Sequence, residues 1–243
     1  MEPRKHLDEL ALRASYTGVS RYTRFLEPSQ EREAYQAARE AGCNVDFYGG
    51  YDDAERRIAA FWSDEPPVAV PIEPLMIRWN EKFASPGHRD LLGSVMVLGI
   101  ERDTFGDIAI GAEPGSAYLF SMEDMAAYFI ANLERVGHTS VRVERASSIT
   151  LKPPEGSVLR VTVAQLRMDA LIAAGYKLSR AEAQKLISAG LVKLNHIEET
   201  RADIKLREGD LLSVRGYGRL RIQTLQGETR RGRLAVTAFR YGK

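Results

Sequence analysis

The chain contains little cysteine, little histidine and no long apolar segment, and each scarcity excludes a class of protein. One cysteine, Cys43, among 243 residues rules out an intrachain disulfide and is typical of a reducing compartment, the cytoplasm. The spacing of the four histidines matches no zinc motif, so we expect no metal site. No apolar run reaches the length that crosses a bilayer, and the first residues lack the apolar centre of a signal peptide. We therefore expect no membrane partner.

Motifs for nucleotide binding and for catalysis are also missing. Neither a Gly-x-Gly-x-x-Gly turn after a strand nor a Gly-Lys-Ser/Thr loop occurs, so we expect no cofactor. His88-Arg89-Asp90 resembles a fragment of a kinase catalytic loop, but Val95 stands where that loop has asparagine. We interpret Asp90 as the N-cap of a helix over 91–98, with Arg89 available to RNA. The sequence thus predicts a protein that is not an enzyme.

Positive charge is concentrated at one end of the chain. Residues 160–243 contain 17 lysines and arginines against 8 acidic residues, whereas residues 1–159 contain 17 against 25. A net charge of +1 therefore conceals a basic module attached to an acidic body. This distribution is typical of a protein in which one domain meets the phosphates of a nucleic acid.

Proline-containing breaks divide the chain into three predicted domains of an α+β protein. Pro66-Pro67 ends a small N-terminal α/β domain, 1–70, and the segment 152–156 separates a central domain, 71–150, from a basic domain, 158–243. In the central domain, the apolar periodicity predicts the element order β-α-β-β-α-β. That order is compatible with a ferredoxin-like or RRM-like sheet, a scaffold that RNA-binding modules share with many unrelated proteins.

The basic module has the pattern helix-turn-helix-strand. We expect a helix over 166–173 that Gly175 ends in a left-handed conformation, and a second helix that begins at Ser179 with Glu182 completing a capping box. Alternation then predicts a strand that buries Val192 and Leu194. Because the start of a helix offers free N–H groups, the second helix start is a candidate phosphate seat.

Cationic and small polar side chains lie on these helices and on the strand. We expect them to form one continuous RNA-binding surface. Glycines next to arginines, as at 215–219, let the backbone approach RNA, and the segment 230–233 is the densest cationic cluster. We predict a second RNA surface on the central domain at Arg89 and Arg102. The RNA contacts predicted in the basic module are Arg167, Lys177, Ser179, Arg180, Gln184, Lys185, Lys193, Asn195, Arg215, Gly216, Arg219, Arg230 and Arg231.

These motifs together resemble the S4 RNA-binding domain. The resemblance is carried in order by Arg167-Met168-Asp169, Ser179-Arg180, Ala183 with Leu186-Ile187, Gly190, Val192, Asn195, Gly209-Asp210 and Val214-Arg215-Gly216. The chain departs from the family pattern at Met168, where leucine is usual, and at His196, where glycine usually follows the asparagine. The second departure is expected to alter the turn.

The wider chain resembles the YlmH family of S4-domain RNA-binding proteins, known in photosynthetic lineages as photosystem II S4-domain proteins. The segments that carry this resemblance are 22–26, 49–56, 88–93 and 99–108. The family implies a central RNA-binding domain and a C-terminal S4 domain of the αL type. It also implies rRNA or tRNA on the large ribosomal subunit and quality-control factors as partners, in the cytoplasm or, in a photosynthetic lineage, the chloroplast stroma or cyanobacterial cytoplasm.

Two hypotheses on function follow from the sequence. The first is a non-catalytic adaptor that binds structured RNA and takes part in ribosome-associated quality control of stalled nascent chains. On this hypothesis, changing Arg180 and Lys185 to glutamate is expected to abolish binding and leave folding intact. The alternative is an RNA-modifying enzyme of the pseudouridine synthase or methyltransferase type that uses the S4 domain for docking. Residues 1–159 lack the motifs of both enzyme types, which favours the adaptor.

Overall fold

The computed structural model describes residues 3–82, 85–229 and 232–242. The chain divides into two compact units, Met1–Pro153 and Pro154–Lys243. Within the described ranges, no helix combines the length and the apolar character that crossing a membrane requires.

The first unit begins with two helices packed on a three-stranded sheet. The helices are α1 (Pro3–Thr17) and α2 (Glu31–Ala41), and the sheet has the order β1-β3-β2, from β1 (Arg21–Tyr22), β2 (Asn44–Tyr48) and β3 (Ile58–Trp62). Both helices present alanines to their shared core, which lets them approach closely. Gly42 ends α2 with a φ of 70°.

A four-stranded antiparallel sheet with two helices on one face follows. Its elements are β4 (Ile72–Arg78), α3 (His88–Val97), β5 (Phe105–Ile110), β6 (Ser116–Met122), α4 (Ala126–Asn132) and β9 (Arg142–Arg145), with a small hairpin of β7 (Arg135–Val136) and β8 (Thr139–Ser140) before the last strand. The strand order β5-β6-β4-β9 is that of a ferredoxin-like sheet. The predicted β-α-β-β-α-β fold of this region is therefore confirmed.

Strand β6 is buried on both of its faces. Ala117 and Leu119 point to the core beneath α3 and α4, whereas Tyr118 and Phe120 point to a second core that also contains Phe25 of the N-terminal region. The second core covers the open face of the central sheet. That face is the one on which RRM domains stack bases, so this route to RNA is closed here.

The second unit is a six-stranded antiparallel sheet with two helices packed on one face. Its elements are β10 (Gly156–Val163), α5 (Met168–Tyr176), α6 (Arg180–Ser188), β11 (Val192–Leu194), β12 (Ile197–Glu198), β13 (Leu211–Val214), β14 (Gly218–Glu228) and β15 (Leu234–Tyr241). The strand order is β10-β15-β14-β13-β11-β12. Together the two units give the multidomain α+β fold that the sequence predicts.

Helix α5 does not end where the sequence predicts. Gly175 lies inside the helix, and the left-handed residue after it is Lys177, with a φ of 57°. The glycine has a packing role instead, because a Cβ built on Gly175 would lie 2.9 Å from Cδ2 of the buried Leu220. Close contact between helix and sheet therefore explains this glycine.

The sheet of the second unit has two chemically different faces. One face contributes Val192, Val214 and Leu220 to the core beneath α5 and α6. Since side chains alternate along strands, the residues between these positions, together with their cross-strand partners, lie on the opposite face. We call it the outward sheet face, and it carries Val158, Arg160, Lys193, Ser213, Arg219, Arg221, Phe239 and Tyr241.

Candidate nucleic-acid interface

Three of the predicted RNA-contact residues converge on a single buried carboxylate. Asp169, in the first turn of α5, is 0% exposed. Its Oδ2 accepts hydrogen bonds from Arg180 Nη2 at 2.8 Å, from Gln184 Nε2 at 3.0 Å and from Arg167 Nη2 at 3.5 Å. Arg180 and Gln184 reach the same acid because they lie four residues apart on α6. Asp169 thereby joins the two helices and sets the direction of both guanidiniums.

The surroundings of Asp169 keep it charged although it is buried. Burial by itself raises the pKa of Asp169, but the hydrogen bonds from Gln184 and Arg180 and the charges of Arg180 and Arg167 outweigh it and hold the pKa below its usual value. The side chain of Arg180 is still 57% exposed. Its remaining N–H groups can therefore donate to a phosphate.

A cleft of about 600 Å³ opens beside this cluster. Small side chains of α5 line it, and three arginines border it. The third, Arg233, donates to the Thr162 carbonyl oxygen at 2.7 Å, and it belongs to the cationic segment 230–233, whose first two arginines are among the predicted RNA contacts. Its neighbours Arg230 and Arg231, which are among those contacts, lie outside the described residues. The residues that border the cleft include Arg167, Ala170, Ala173, Ala174, Arg180 and Arg233.

The start of α6 is already occupied by a carboxylate of the protein itself. Glu182 Oε2 accepts from the Ser179 amide and from the Ser179 hydroxyl, both at 2.7 Å, and the Ser179 hydroxyl accepts from the Glu182 amide at 3.2 Å. The predicted capping box is present, and it places the Glu182 carboxylate beside the predicted phosphate seat. Lys177 and Lys185 are exposed nearby and leave cationic charge on the helical side of the unit.

Asn195, a predicted RNA contact, makes two side-chain hydrogen bonds within the protein. Its Nδ2 donates to Asp210 Oδ1 at 2.8 Å, and its Oδ1 accepts from the Leu211 amide at 2.9 Å. Asn195 and His196 have φ values of 47° and 70° and form the two-residue turn between β11 and β12. His196 thus adopts the left-handed conformation that glycine, the usual residue of the family at this position, takes most readily.

The remaining predicted contacts of this unit do not share a surface with the Asp169 cluster. Lys193 and Arg219 lie on the outward sheet face, whereas α5 and α6 cover the opposite face. Arg215 and Gly216 lie in the exposed turn between β13 and β14, where Gly216 has a φ of 86°. One continuous surface across helix and strand, as predicted, is therefore not formed.

In the central domain, Arg102, a predicted RNA contact, makes several contacts within the protein. Its Nη1 donates to the carbonyl oxygens of Phe105 at 2.6 Å and Gly106 at 3.1 Å, and its guanidinium lies 4.1 Å from the centre of the Phe105 ring. Burial, followed by the charge of Arg56, lowers the pKa of Arg102 to about 10. The guanidinium is thus held within the protein.

Arg89 is exposed in the first turn of α3, beside a cleft of about 620 Å³ that Arg135 and two acidic residues also border. Asp90 is not the N-cap. The helix begins at His88, and Asp90 Oδ2 accepts from the Gly87 amide at 2.9 Å. Arg89 therefore remains available at the surface, as predicted, in a site of mixed charge.

Comparisons with known proteins match two regions of the chain to protein families. The family "Putative RNA-binding domain in YlmH" matches residues 71–149, and the S4 domain matches residues 166–212. A relative, the ribosome-associated protein quality control protein P2 of Bacillus subtilis (strain 168), is 31% identical over 223 residues, 88% of this chain and 85% of that protein. The chain belongs to the YlmH family. It is an RNA-binding protein with an S4 domain.

A solved YlmH structure, the cell division protein ylmH from Streptococcus pneumoniae, is also similar. It is 24% identical, with a TM-score of 0.49, over 59% of this chain and 88% of that chain.

Two of the YlmH-family segments, 49–56 and 99–108, meet at a half-buried acid, Asp107, that is not among the predicted site residues. Asp107 accepts from Tyr51 Oη at 2.9 Å and from the amides of Glu55 at 2.6 Å and Arg56 at 3.2 Å. Burial raises the pKa of Asp107, and these hydrogen bonds act against that rise. Asp107 thus connects the β2–β3 loop to the central sheet.

Proposed function

We propose that this protein is a non-catalytic adaptor that binds structured rRNA or tRNA on the large ribosomal subunit and acts in quality control of stalled nascent chains. The Bacillus subtilis relative, a ribosome-associated quality control protein that is similar over most of both chains, supports the ribosomal setting. The cationic second unit supports the contact with RNA.

The observation that carries the proposal is the cluster around Asp169. Arginines held by a buried carboxylate lose little conformational entropy on binding, so they suit a surface that recognises the shape of a phosphate backbone. Phosphate contacts dominate the affinity of such surfaces and weaken as salt rises. The helical side of the second unit, with Lys177, Arg180 and Lys185, is the proposed contact.

We also propose that the protein performs no chemical step. Two carboxylates of the described residues, the buried Asp169 and the half-buried Asp107, are each held by donors of the protein itself. A general acid or base must instead be free to reach a substrate atom. Their commitment to internal hydrogen bonds supports a structural role for both acids.

The double change of Arg180 and Lys185 to glutamate, which the sequence suggests as a test, must be replaced by a change at Lys185 alone. A glutamate at 180 would face the buried Asp169 carboxylate, so Arg180→Glu would damage the fold as well as the interface. Lys185→Glu changes an exposed side chain, and Lys5→Glu on α1 is a matched control at an exposed lysine.

The test is sedimentation of the tagged full-length protein with separated ribosomal subunits at moderate and high salt. We expect wild type and Lys5→Glu to comigrate with the large subunit at moderate salt and to dissociate at high salt. Lys185→Glu is expected to lose most of the comigration. Comigration of Lys185→Glu at the wild-type level would show that the helical side is not the contact, and absence of wild type from ribosomal fractions would reject the ribosomal setting.

A further inference from the structure

The outward sheet face combines positive charge with aromatic rings. Lys193, Ser213, Arg219 and Tyr241 form one row across four strands, and Arg221 and Phe239 are paired in the adjacent row. Arg160 lies on the next strand, opposite Thr237. Most of these residues belong to β10, β14 and β15. These three strands lie outside residues 166–212, which match the S4 domain.

The charge of this face is strongly positive. Among the described strand residues, four cations lie on it: Arg160, Lys193, Arg219 and Arg221. The acid opposite Lys193 is Glu198, on the short edge strand β12. Since a surface with such an excess of cations attracts polyanions, the face is complementary to a phosphate backbone.

The aromatic rings lie where bases could stack. The rings of Phe239 and Tyr241 have centres 5.0 Å apart at an angle of 88°, and the Arg219 guanidinium lies 4.8 Å from the centre of the Tyr241 ring. Both rings are half-buried, and the nearby Val158 is 57% exposed, so the face is open to solvent. Open aromatic rings with adjacent arginines are the platform on which single-stranded nucleic acids stack.

We propose that the outward sheet face binds single-stranded RNA, with bases stacked on Tyr241 and Phe239 and the backbone held by the four cations. Unpaired bases are required because a flat sheet cannot reach the faces of bases inside a duplex. An acidic peptide would satisfy the charge but would make little use of the rings. The ligand thus differs from the structured RNA proposed for the helical side, and the two surfaces lie on opposite sides of the second unit.

The test measures binding of the full-length protein to two probes, an oligouridylate of about ten nucleotides and a blunt-ended RNA hairpin. We expect Tyr241→Ala to weaken oligouridylate binding about tenfold with an unchanged salt dependence, because one stacking contact is lost and no phosphate contact. Tyr241→Phe keeps the ring and is expected to bind like wild type. Lys193→Ala is expected to reduce the slope of log affinity against log salt by about 0.7.

Two controls separate this proposal from the proposed function. Tyr16→Ala removes an exposed tyrosine of α1 and is expected to leave the affinity for both probes unchanged. Lys185→Glu is expected to weaken hairpin binding and to spare oligouridylate binding. If Tyr241→Ala and Lys193→Ala both bind oligouridylate like wild type, the proposal is overturned, even where Lys185→Glu still weakens the hairpin. The thermal unfolding midpoint of each variant is measured as well. An unchanged midpoint shows that weaker RNA binding does not come from unfolding.

Discussion

At the scale of single residues, Asp169 is the side chain on which the proposed RNA contact, on the helical side of the second unit, depends most. It is fully buried, yet the groups that it holds are cations at the surface. A carboxylate in this position sets the direction of the guanidiniums and reduces the repulsion between them. It therefore contributes to the stability of the second unit and, on the proposed function, to its affinity for RNA.

Replacing Asp169 by asparagine keeps the shape and removes the charge. We expect Asp169→Asn to lower the free energy of unfolding by about 2 kcal/mol, because charge-assisted hydrogen bonds from Arg180 and Gln184 are weakened. Denaturant unfolding measures this loss, and RNA binding should weaken as well. Stability equal to wild type would show that the cluster does not join α5 to α6.

The pH dependence of that loss follows from the lowered pKa of Asp169. A carboxyl whose pKa is lower in the folded state stabilises the fold above its unfolded pKa, about 4, and loses the contribution as pH falls through the folded pKa. The stability difference between wild type and Asp169→Asn should thus be constant from about pH 5 to 8 and shrink below about pH 4. A difference that instead grew on acidification would contradict the assignment.

His196 occupies a backbone conformation that suits glycine better. With a φ of 70° in a two-residue hairpin turn, a side chain is disfavoured. We expect His196→Gly to raise the free energy of unfolding by about 1 kcal/mol, measured by thermal or denaturant unfolding. Asn195→Gly at the preceding residue is the comparison, and it should destabilise because the bonds to Asp210 and Leu211 are lost.

At the scale of elements, close contacts fix where strands and loops meet. A Cβ built on Gly106 in β5 would lie 2.5 Å from the ring of Phe25, which is 1% exposed. Since that ring belongs to the core beneath the central sheet, it has little room to move. Strand β5 therefore requires glycine at this point.

Alanine substitutions at two glycines test this contact. We expect Gly106→Ala to lower the free energy of unfolding by about 2 kcal/mol, because it overpacks the core. The matched control is Gly93→Ala in α3, where a Cβ meets no atom within 4 Å, and a gain of about 1 kcal/mol is expected from helix propensity. Equal effects at both positions would mean that the Phe25 ring yields to the added methyl group.

At the scale of the whole molecule, the two units differ in whether a hydrophobic core is shared between two regions of the chain. The second unit has its own core, formed by α5, α6 and the six-stranded sheet. The first unit contains a core shared between the N-terminal region and the central sheet, which includes Phe25, Ile58, Tyr118 and Phe120. The boundary at 153/154 is therefore a place to cut the chain, and the one near 70 is not.

Truncated chains test this difference. We expect residues 154–243 alone to unfold cooperatively and to bind RNA with salt sensitivity, and residues 1–153 alone to fold. Residues 1–70 should aggregate or remain unfolded, because Phe25 and Ile58 lose the apolar surface of the central sheet. Circular dichroism and thermal unfolding measure each case, and a cooperative transition for residues 1–70 would contradict the shared core.

The sequence by itself determined the S4 domain, the α+β class, the ferredoxin-like order of the central region and the location of positive charge. Periodicity, caps and charge are local properties, so a linear pattern contains them. The tertiary structure alone decided which polar side chains have partners within the protein and which lie at its surface. A long polar side chain such as Arg102 or Asn195 is equally compatible with solvent and with an internal partner, and only folding brought the Phe105 carbonyl and Asp210 within hydrogen-bonding distance. Packing of α5 and α6 on one face likewise placed Lys193 and Arg219 on the other.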